Sequence, residues 1–425
     1  MIRIVLSSDR GGVARLLSPA RVRDGATERT VAKIVADVRQ RGDAALLSYA
    51  RRFDRLEGAA EVTADEMRSA AATVPADVRR ALRLAARHIR AVAQKQRPRG
   101  WRTRVAAGVT VEQRIVPLDR VGCYVPGGRY PLPSSLLMTA VPAVAAGVRE
   151  VIAVCPKPAP VVMAAALEAG VSRLFRLGGA QAIAALAYGT RTVPRVDKIV
   201  GPGNRFVAAA KALVAADCGI DMYAGPTEIV ILAADGDASW IAADLLAQAE
   251  HDPDARAVLI TPSRALAARV AREVERQAPT DGPARESLSR HGGVIVTRGM
   301  REAVALANDA AAEHLVVESP ELANAVQCAG SLFVGPWSAQ VAGDYAIGSN
   351  HVLPTAGAAR VRGGLSTADF VRQFTVQRLT RAGLQRIAPA VATLARAEGL
   401  ELHARSIEMR SAARKPDRRV RRPEL

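Results

Sequence analysis

Side chains able to hold a metal or move a proton recur in short clusters through the second half of the chain: Gln248-Ala-Glu-His251, Glu313-His314, Asn350-His351 and Glu398-Gly-Leu-Glu-Leu-His403, with Gly343-Asp344-Tyr345 among them. Four of the six histidines in 425 residues fall in these clusters, which points to a metal site with an acid/base pair. Gln248 and His251 close a helical pattern that begins near Ser239, with Ile241, Leu245 and Leu246 as its apolar stripe. Their spacing puts both on one helical face. Pro253 disfavours helix at Asp252 and leaves the pair in the last turn, although an ordinary polar helix end competes with this reading. Adding Asp344 and His403 would give two imidazoles, a carboxylate and an amide oxygen, a donor set suited to zinc or a similar divalent ion. Sequence alone does not show that these four converge. In Glu313-His314, a histidine can accept an alcohol proton near neutral pH and a carboxylate can activate water. Neighbours on a regular strand point to opposite faces, so both serve one site only where the backbone bends; otherwise they are a surface pair.

These side chains must be positioned by a chain long enough for two or more domains, with 49% apolar residues to build cores. Residues 27 to about 100 read as helices, with Glu28, Val31, Ile34, Val35 and Val38 at helical spacing and Gly42-Asp43 as a break. From Val121 short β-branched runs alternate with alanine-rich helices. Strands are expected at Val151–Val154, Leu174–Leu177, Lys198–Val200 and Ile229–Leu232, then near Ala257–Ile260, Gly293–Thr297, Leu315–Val317 and Leu332–Val334. Such alternation means parallel sheets covered by helices, hence two α/β units. After Gly364 the chain is expected to turn helical again through Thr367–Gln373 and Pro389–Glu398.

Composition excludes other classes of protein. The apolar stretch from Leu136 to Gly147 is too short and too proline-interrupted to cross a bilayer, and the N-terminus lacks a signal-peptide core, so a cytoplasmic location is expected. Cys123, Cys155, Cys218 and Cys328 are too widely spaced for a disulfide framework and read as buried thiols in a reducing compartment. The net charge of +18 suggests an anionic partner. Its arginines, however, are scattered along helical faces without interleaved aromatics, which disfavours nucleic acid, and the one concentrated run, Arg414 to Arg422, reads as a disordered tail.

Three glycine-rich turns, Pro126-Gly-Gly128, Gly178-Gly-Ala-Gln181 and Gly201-Pro-Gly-Asn204, could approach a phosphate. Each alone is more often a tight turn, and Phe206 stands where the third glycine of a dinucleotide fingerprint belongs.

As whole strings, these segments resemble the histidinol dehydrogenase family. The strings are Tyr124-Val-Pro-Gly-Gly128, Gly178-Gly-Ala-Gln-Ala-Ile-Ala-Ala185, Gly201-Pro-Gly-Asn204, Gly219-Ile-Asp-Met222, Ala224-Gly-Pro-Thr-Glu228, Asp244-Leu-Leu-Ala-Gln-Ala-Glu-His251, Glu313-His-Leu315, Gly343-Asp-Tyr345, Asn350-His-Val-Leu-Pro-Thr355 and Glu398-Gly-Leu400 with His403, in the family's order from about residue 20 to 410. The resemblance implies a zinc-dependent, NAD-linked enzyme that oxidises L-histidinol through the aldehyde to L-histidine in histidine biosynthesis. It implies one zinc per subunit held by Gln248, His251, Asp344 and His403, and NAD contacted by Tyr124, Gln181 and Asn204. Thr227, His314, His351 and Glu398 would join the four metal ligands around the substrate, with Glu313 and His314 catalytic.

The implied fold has two incomplete Rossmann-like domains, one inserted in the other, with helical terminal segments. Residues 1–20 would form an N-terminal arm, 21–122 with 228–365 the first domain, 123–227 the inserted second, and 366–425 a helical segment crossing to the partner of a homodimer. The sequence departs from the family pattern at Ala312 (usually proline), Thr227 (serine), Asp252 (glycine) and Arg256 (glutamine), which bears on affinity and rate. A paralogous zinc/NAD dehydrogenase of another alcohol, such as a sulfonated diol, is the nearest alternative. A non-catalytic basic scaffold or nucleic-acid-binding protein is one from another class.

Overall fold

The structure, a computed structural model, describes residues 2–18, 24–127, 130–223 and 225–412. Gly128, Ala224, the 20/21 boundary and the basic run Arg414–Arg422 lie outside the described residues. The chain forms two compact units, residues 1–97 with 117–370, and residues 98–116 with 371–425.

The first unit contains two six-stranded sheets wound alike. One runs Arg3–Leu6, Gly292–Val296, Arg256–Thr261, Glu228–Leu232, His314–Val317, Ser331–Val334, all parallel. In the other the order is Glu61–Val62, Arg173–Phe175, Glu150–Val154, Arg120–Tyr124, Lys198–Val200, Gly219–Ile220, parallel except for its first pair. Within each, the chain starts on a central strand, lays two strands to one side, then crosses back and lays two on the other. That is the 3-2-1-4-5 winding of a Rossmann sheet lacking its sixth strand, with one extra edge strand. A topological switch point therefore falls between Arg120–Tyr124 and Lys198–Val200, and again between Glu228–Leu232 and His314–Val317. All eight strands expected from the alternating pattern are present, and the expected two-Rossmann architecture holds.

The assignment of segments to the two bodies needs correction. Residues 24–97 were expected with the 228–365 body, yet Val31, Val35, Val38 and Leu46 share a core with Phe175 and Ile199 of the second sheet and Ile183 of its helix Gly179–Tyr188. An amphipathic helix states that it has an apolar face, not which sheet covers it. The expected 122/123 boundary also cuts through Arg120–Tyr124, the central strand of the second sheet. What is inserted is the whole second sheet with helices Gly25–Arg41 to Ala76–Gln96, between the edge strand Arg3–Leu6, expected as part of an arm, and the strand Glu228–Leu232.

Abundant alanine lets helices approach the sheets closely. In the helix Gly179–Tyr188 the alanines 180, 182, 184, 185 and 187 are all buried. Gly122 answers it from the central strand, where an added Cβ would stand 2.9 Å from Leu186. Cys123, Cys155 and Cys218 are buried free thiols as expected, and burial pushes the Cys123 thiol up to about 12, whereas Cys328 is only half-buried.

In the second unit, Val371–Leu379, Val109–Pro117 and Trp101–Ala106 form a three-stranded sheet. Helices Arg381–Ala397 and Glu401–Ala412 pack on each other through Ala392, Ala395 and Ala404. The helix expected at Thr367–Gln373 is instead a 3-10 turn, Thr367–Phe370, running into the strand Val371–Leu379. Its pairing partner lies over two hundred and fifty residues earlier, as in the Gln113 to Gln373 side-chain bond, and no local pattern announces that. Among the described residues no helix is long and apolar enough to cross a membrane. Many arginines are taken up in surface pairs within helices, such as Arg41 with Asp37 and Arg276 with Glu273.

Candidate active site

Two neighbouring strands of the first sheet, Glu228–Leu232 and His314–Val317, begin side by side, with Ile229 opposite His314. The residues just ahead of them, Thr227 and Glu313, therefore emerge together at the amino edge of the sheet. Before His314–Val317 the helix Met300–Ala310 ends on Ala311 in the left-handed conformation, φ 46°. Two residues on, Glu313 Oε2 lies 3.8 Å from His314 Nδ1. Gly330 packs against Glu313, where a Cβ would stand 2.6 Å from the Glu313 carbonyl oxygen.

A buried row of polar side chains results. Gln248 is fully buried on the helix Ala238–Ala249, which Asp237 caps by accepting from the amides of Ser239 and Trp240. Its Nε2 donates to Thr227 Oγ1 at 2.6 Å, and Thr227 Oγ1 donates to Glu313 Oε2 at 2.5 Å, which also accepts from the Glu228 amide at 2.9 Å. On the far side, His314 Nε2 faces Asp344 Oδ1 at 3.6 Å. Asp344 is itself held by Gln340 Nε2 at 2.7 Å, and the Asp344 carbonyl accepts from His351 Nδ1 at 3.0 Å. The helix Gln340–Tyr345 can approach because Gly343 faces Phe333, whose ring lies 6.1 Å from the His314 ring.

Electrostatics in this enclosure are strong. Burial pushes the Glu313 carboxyl up, so it is a better base than an exposed glutamate. Burial alone would push the His314 imidazole down, but the carboxylates of Glu313 and Asp344 override it and hold it up. The same partnership reverses for Asp344 the rise that burial would cause. His351 is pushed down by burial, which keeps its imidazole neutral with Nδ1–H directed to the Asp344 carbonyl. Glu228, pushed by burial up to about 7, is met by Arg256 Nη1 at 3.3 Å.

Three buried polar atoms at this site, Gln248 Oε1, His314 Nδ1 and Gln340 Oε1, have no hydrogen-bond partner among the described residues. An unsatisfied buried group costs about 1–3 kcal/mol. Several in one place mark a position completed by something from outside the chain. Gln248 Oε1 and the Asp344 carboxylate fit a divalent cation in chemistry. His251, just past the helix, is exposed, with Nδ1 on the Ala247 carbonyl at 3.1 Å, and its charge helps lower Asp344. Glu398 and His403 belong to the second unit, on the C-cap of Arg381–Ala397 and in the first turn of Glu401–Ala412, both exposed. Among the described residues no three histidine, cysteine, aspartate or glutamate side chains gather closely enough to hold an ion. The structure thus brings together Thr227, Gln248, Glu313, His314, Asp344 and His351.

The three residues expected at the cofactor lie at the carboxyl edge of the second sheet. Tyr124 ends its central strand, Asn204 follows the strand Lys198–Val200, and Gln181 opens the helix Gly179–Tyr188. Tyr124 and Asn204 therefore flank the switch point, where open parallel sheets bind ligands. Tyr124 Oη accepts from the Gly179 amide at 3.1 Å, and burial pushes its hydroxyl up to about 12. Gln181 Nε2 donates to Asp54 Oδ2 at 3.0 Å, and Asn204 Oδ1 caps the helix Arg205–Val214 through the amides of Phe206 and Val207. Asp54 went unnoticed in the sequence; a lone carboxylate at the end of a helix carries no signal.

The geometry has counterparts in known proteins. The family model for histidinol dehydrogenase matches residues 18–411. Proteins named histidinol dehydrogenase from Dechloromonas aromatica and Geobacter sulfurreducens are 46% and 47% identical to this chain, over 93% and 90% of it and 95% and 93% of their own lengths. A crystal structure of histidinol dehydrogenase from Elizabethkingia anophelis superposes with a TM-score of 0.91 at 30% identity, covering 96% of this chain and 98% of that one. The chain belongs to the histidinol dehydrogenase family.

Histidinol dehydrogenases are oxidoreductases of histidine biosynthesis, and the four positions expected to depart from the family pattern are locally accommodated. Thr227 keeps the hydroxyl that links Gln248 to Glu313. Arg256 serves as counter-ion to Glu228 and reaches the Ser18 carbonyl at 2.5 Å, while Asp252 Oδ1 accepts from the Asp254 amide. Ala312 is buried beside Ala311, whose φ is 46°.

One turn before Gln248, the partly buried Asp244 has its carboxyl pushed up to about 6 by burial alone. A folded-state value above the unfolded one means stability that is present below pH ~4 and lost as pH rises through ~6. Asp244→Asn should remove that loss. Urea unfolding should show the variant about 1–3 kcal/mol more stable than the parent at pH 8 and close to it at pH 4; parallel curves at both pH values would contradict the assignment.

Proposed function

We propose that this chain oxidises L-histidinol through L-histidinaldehyde to L-histidine in two successive NAD-dependent steps. The observation that carries the reading is the buried row Gln248–Thr227–Glu313–His314–Asp344 with unsatisfied atoms at Gln248 and His314. A zinc ion on Gln248, His251, Asp344 and His403 would orient the substrate's imidazole and amine, and NAD at Tyr124, Gln181 and Asn204 would accept hydride. His314, poised between two carboxylates, takes the proton from the carbinol hydroxyl and serves as base again in the second oxidation. Glu313 removes a proton from the water that hydrates the aldehyde, its basicity raised by burial. Thr227 holds the Glu313 carboxylate in place, and Thr227, His351 and Glu398 line the substrate pocket with the ligands. Glu398 and His403 come from the partner of a homodimer in this reading, in keeping with their exposure on a separate unit.

Incubating the metal-replete protein with NAD and L-histidinol should release two NADH per substrate, and Gln248→Ala should lower both bound metal and turnover. One NADH per substrate would remove the second oxidation. Oxidation of sulfonated diols with none of histidinol would assign the chain to a paralogous activity on the same scaffold.

A further inference from the structure

The second sheet contains a buried ion pair outside that row. Lys211 Nζ and Asp221 Oδ1 are in direct contact, with side chains only 3% and 1% exposed. Both charges converge on one residue. Lys211 Nζ donates to the Gly201 carbonyl at 2.9 Å, and Asp221 Oδ2 accepts from the Gly201 amide at 2.7 Å. Asp221 Oδ1 also accepts from the Met222 amide at 2.5 Å, and its carbonyl accepts from Arg362. Gly201 is where the chain leaves the strand Lys198–Val200 at the switch point. Its φ is +115° and a Cβ there would stand 2.2 Å from the Tyr124 carbonyl oxygen. Three residues later comes Asn204, the cap of the helix that carries Lys211.

Stability alone does not account for such a pair, because apolar residues of similar volume usually do as well or better than a buried ion pair. What the charges add is geometry: they grip the donor and the acceptor of a single left-handed glycine. The direction of the Pro202-Gly203-Asn204 turn is set there. We propose that Lys211 and Asp221 are positioning residues for the dinucleotide, holding Gly201 so that the turn is shaped for the cofactor before it arrives. This rests on the reading of Asn204 as a cofactor contact.

The test compares two double variants of the full-length protein by NADH titration and steady-state kinetics. Lys211→Met with Asp221→Leu removes the charges and the hydrogen bonds, whereas Lys211→Gln with Asp221→Asn removes the charges but keeps a donor for the Gly201 carbonyl and one acceptor for the Gly201 amide. The first pair should raise the NADH dissociation constant and the KM for NAD by about 10- to 100-fold with the KM for L-histidinol within about twofold, because the substrate site is untouched. The second pair should restore most of the affinity. A folded Met/Leu variant with parental NADH affinity overturns the proposal. Asn204→Ala separates the underlying reading: if it leaves NADH affinity intact while the Met/Leu pair weakens it, the clamp stands and the side-chain contact falls. Hydrogen exchange on the unmodified protein decides the matter should the Met/Leu pair fail to fold. The Gly201 and Met222 amides should be slow without NADH; rapid exchange that slows only on adding NADH overturns the preformed clamp.

Discussion

Replacing His314 by alanine should lower the turnover of both oxidations by about 10²- to 10⁴-fold, the range expected for a lost general base. The imidazole is 3% exposed and lies between two carboxylates, Glu313 at 3.8 Å and Asp344 at 3.6 Å. No other imidazole occupies that position; His351 is engaged through Nδ1 with the Asp344 carbonyl. Gln248 and Asp344 remain in the variant, so bound metal measured by elemental analysis should be unchanged. That separates loss of the base from loss of the ion. Assays started from the alcohol and from the aldehyde should fall together, and turnover within a few-fold of the parent would remove the role of His314.

Glu313→Gln should act unequally on the two steps. The amide matches the carboxylate in shape, and its carbonyl can still accept from Thr227 Oγ1 and the Glu228 amide, as Glu313 Oε2 does. It cannot take a proton from water. Aldehyde oxidation should therefore drop by about 10²-fold or more, and alcohol oxidation by much less. Equal losses would argue against water activation. Because the replaced carboxylate is buried and its ionised form is disfavoured there, the variant should be no less stable than the parent near neutral pH, which a thermal melt would check.

Much of this was legible in the sequence. Short β-branched runs between alanine-rich helices located eight of the parallel strands, though not Arg120–Tyr124 at the centre of the second sheet, because a strand apolar on both faces has a local signal. The family strings marked every residue of the buried row except Gln340. Other features depend on partners far along the chain. Arg3–Leu6 is a strand only because Gly292–Val296 lies beside it, and Val371–Leu379, mostly exposed, has no apolar stripe to declare it. Asp54, Lys211 and Asp221 are ordinary polar residues on helices and loops until the fold buries them against Gly178, Gln181 and Gly201.

Residue types and their spacing by themselves determined the chemistry at hand, an imidazole beside a carboxylate with glutamine, histidine and aspartate as candidate metal donors, together with the alternating α/β build. Tertiary structure alone decided that Glu313 and His314 stand at the amino edge of one sheet and Tyr124, Gln181 and Asn204 at the carboxyl edge of the other. It also decided that Val31 to Ala60 share the core of the second sheet and that Glu313 and His314 meet at 3.8 Å. Local sequence encodes torsional preference and which face is apolar. Which faces meet, and which polar atoms lose water together, is settled only when the whole chain closes on its cores.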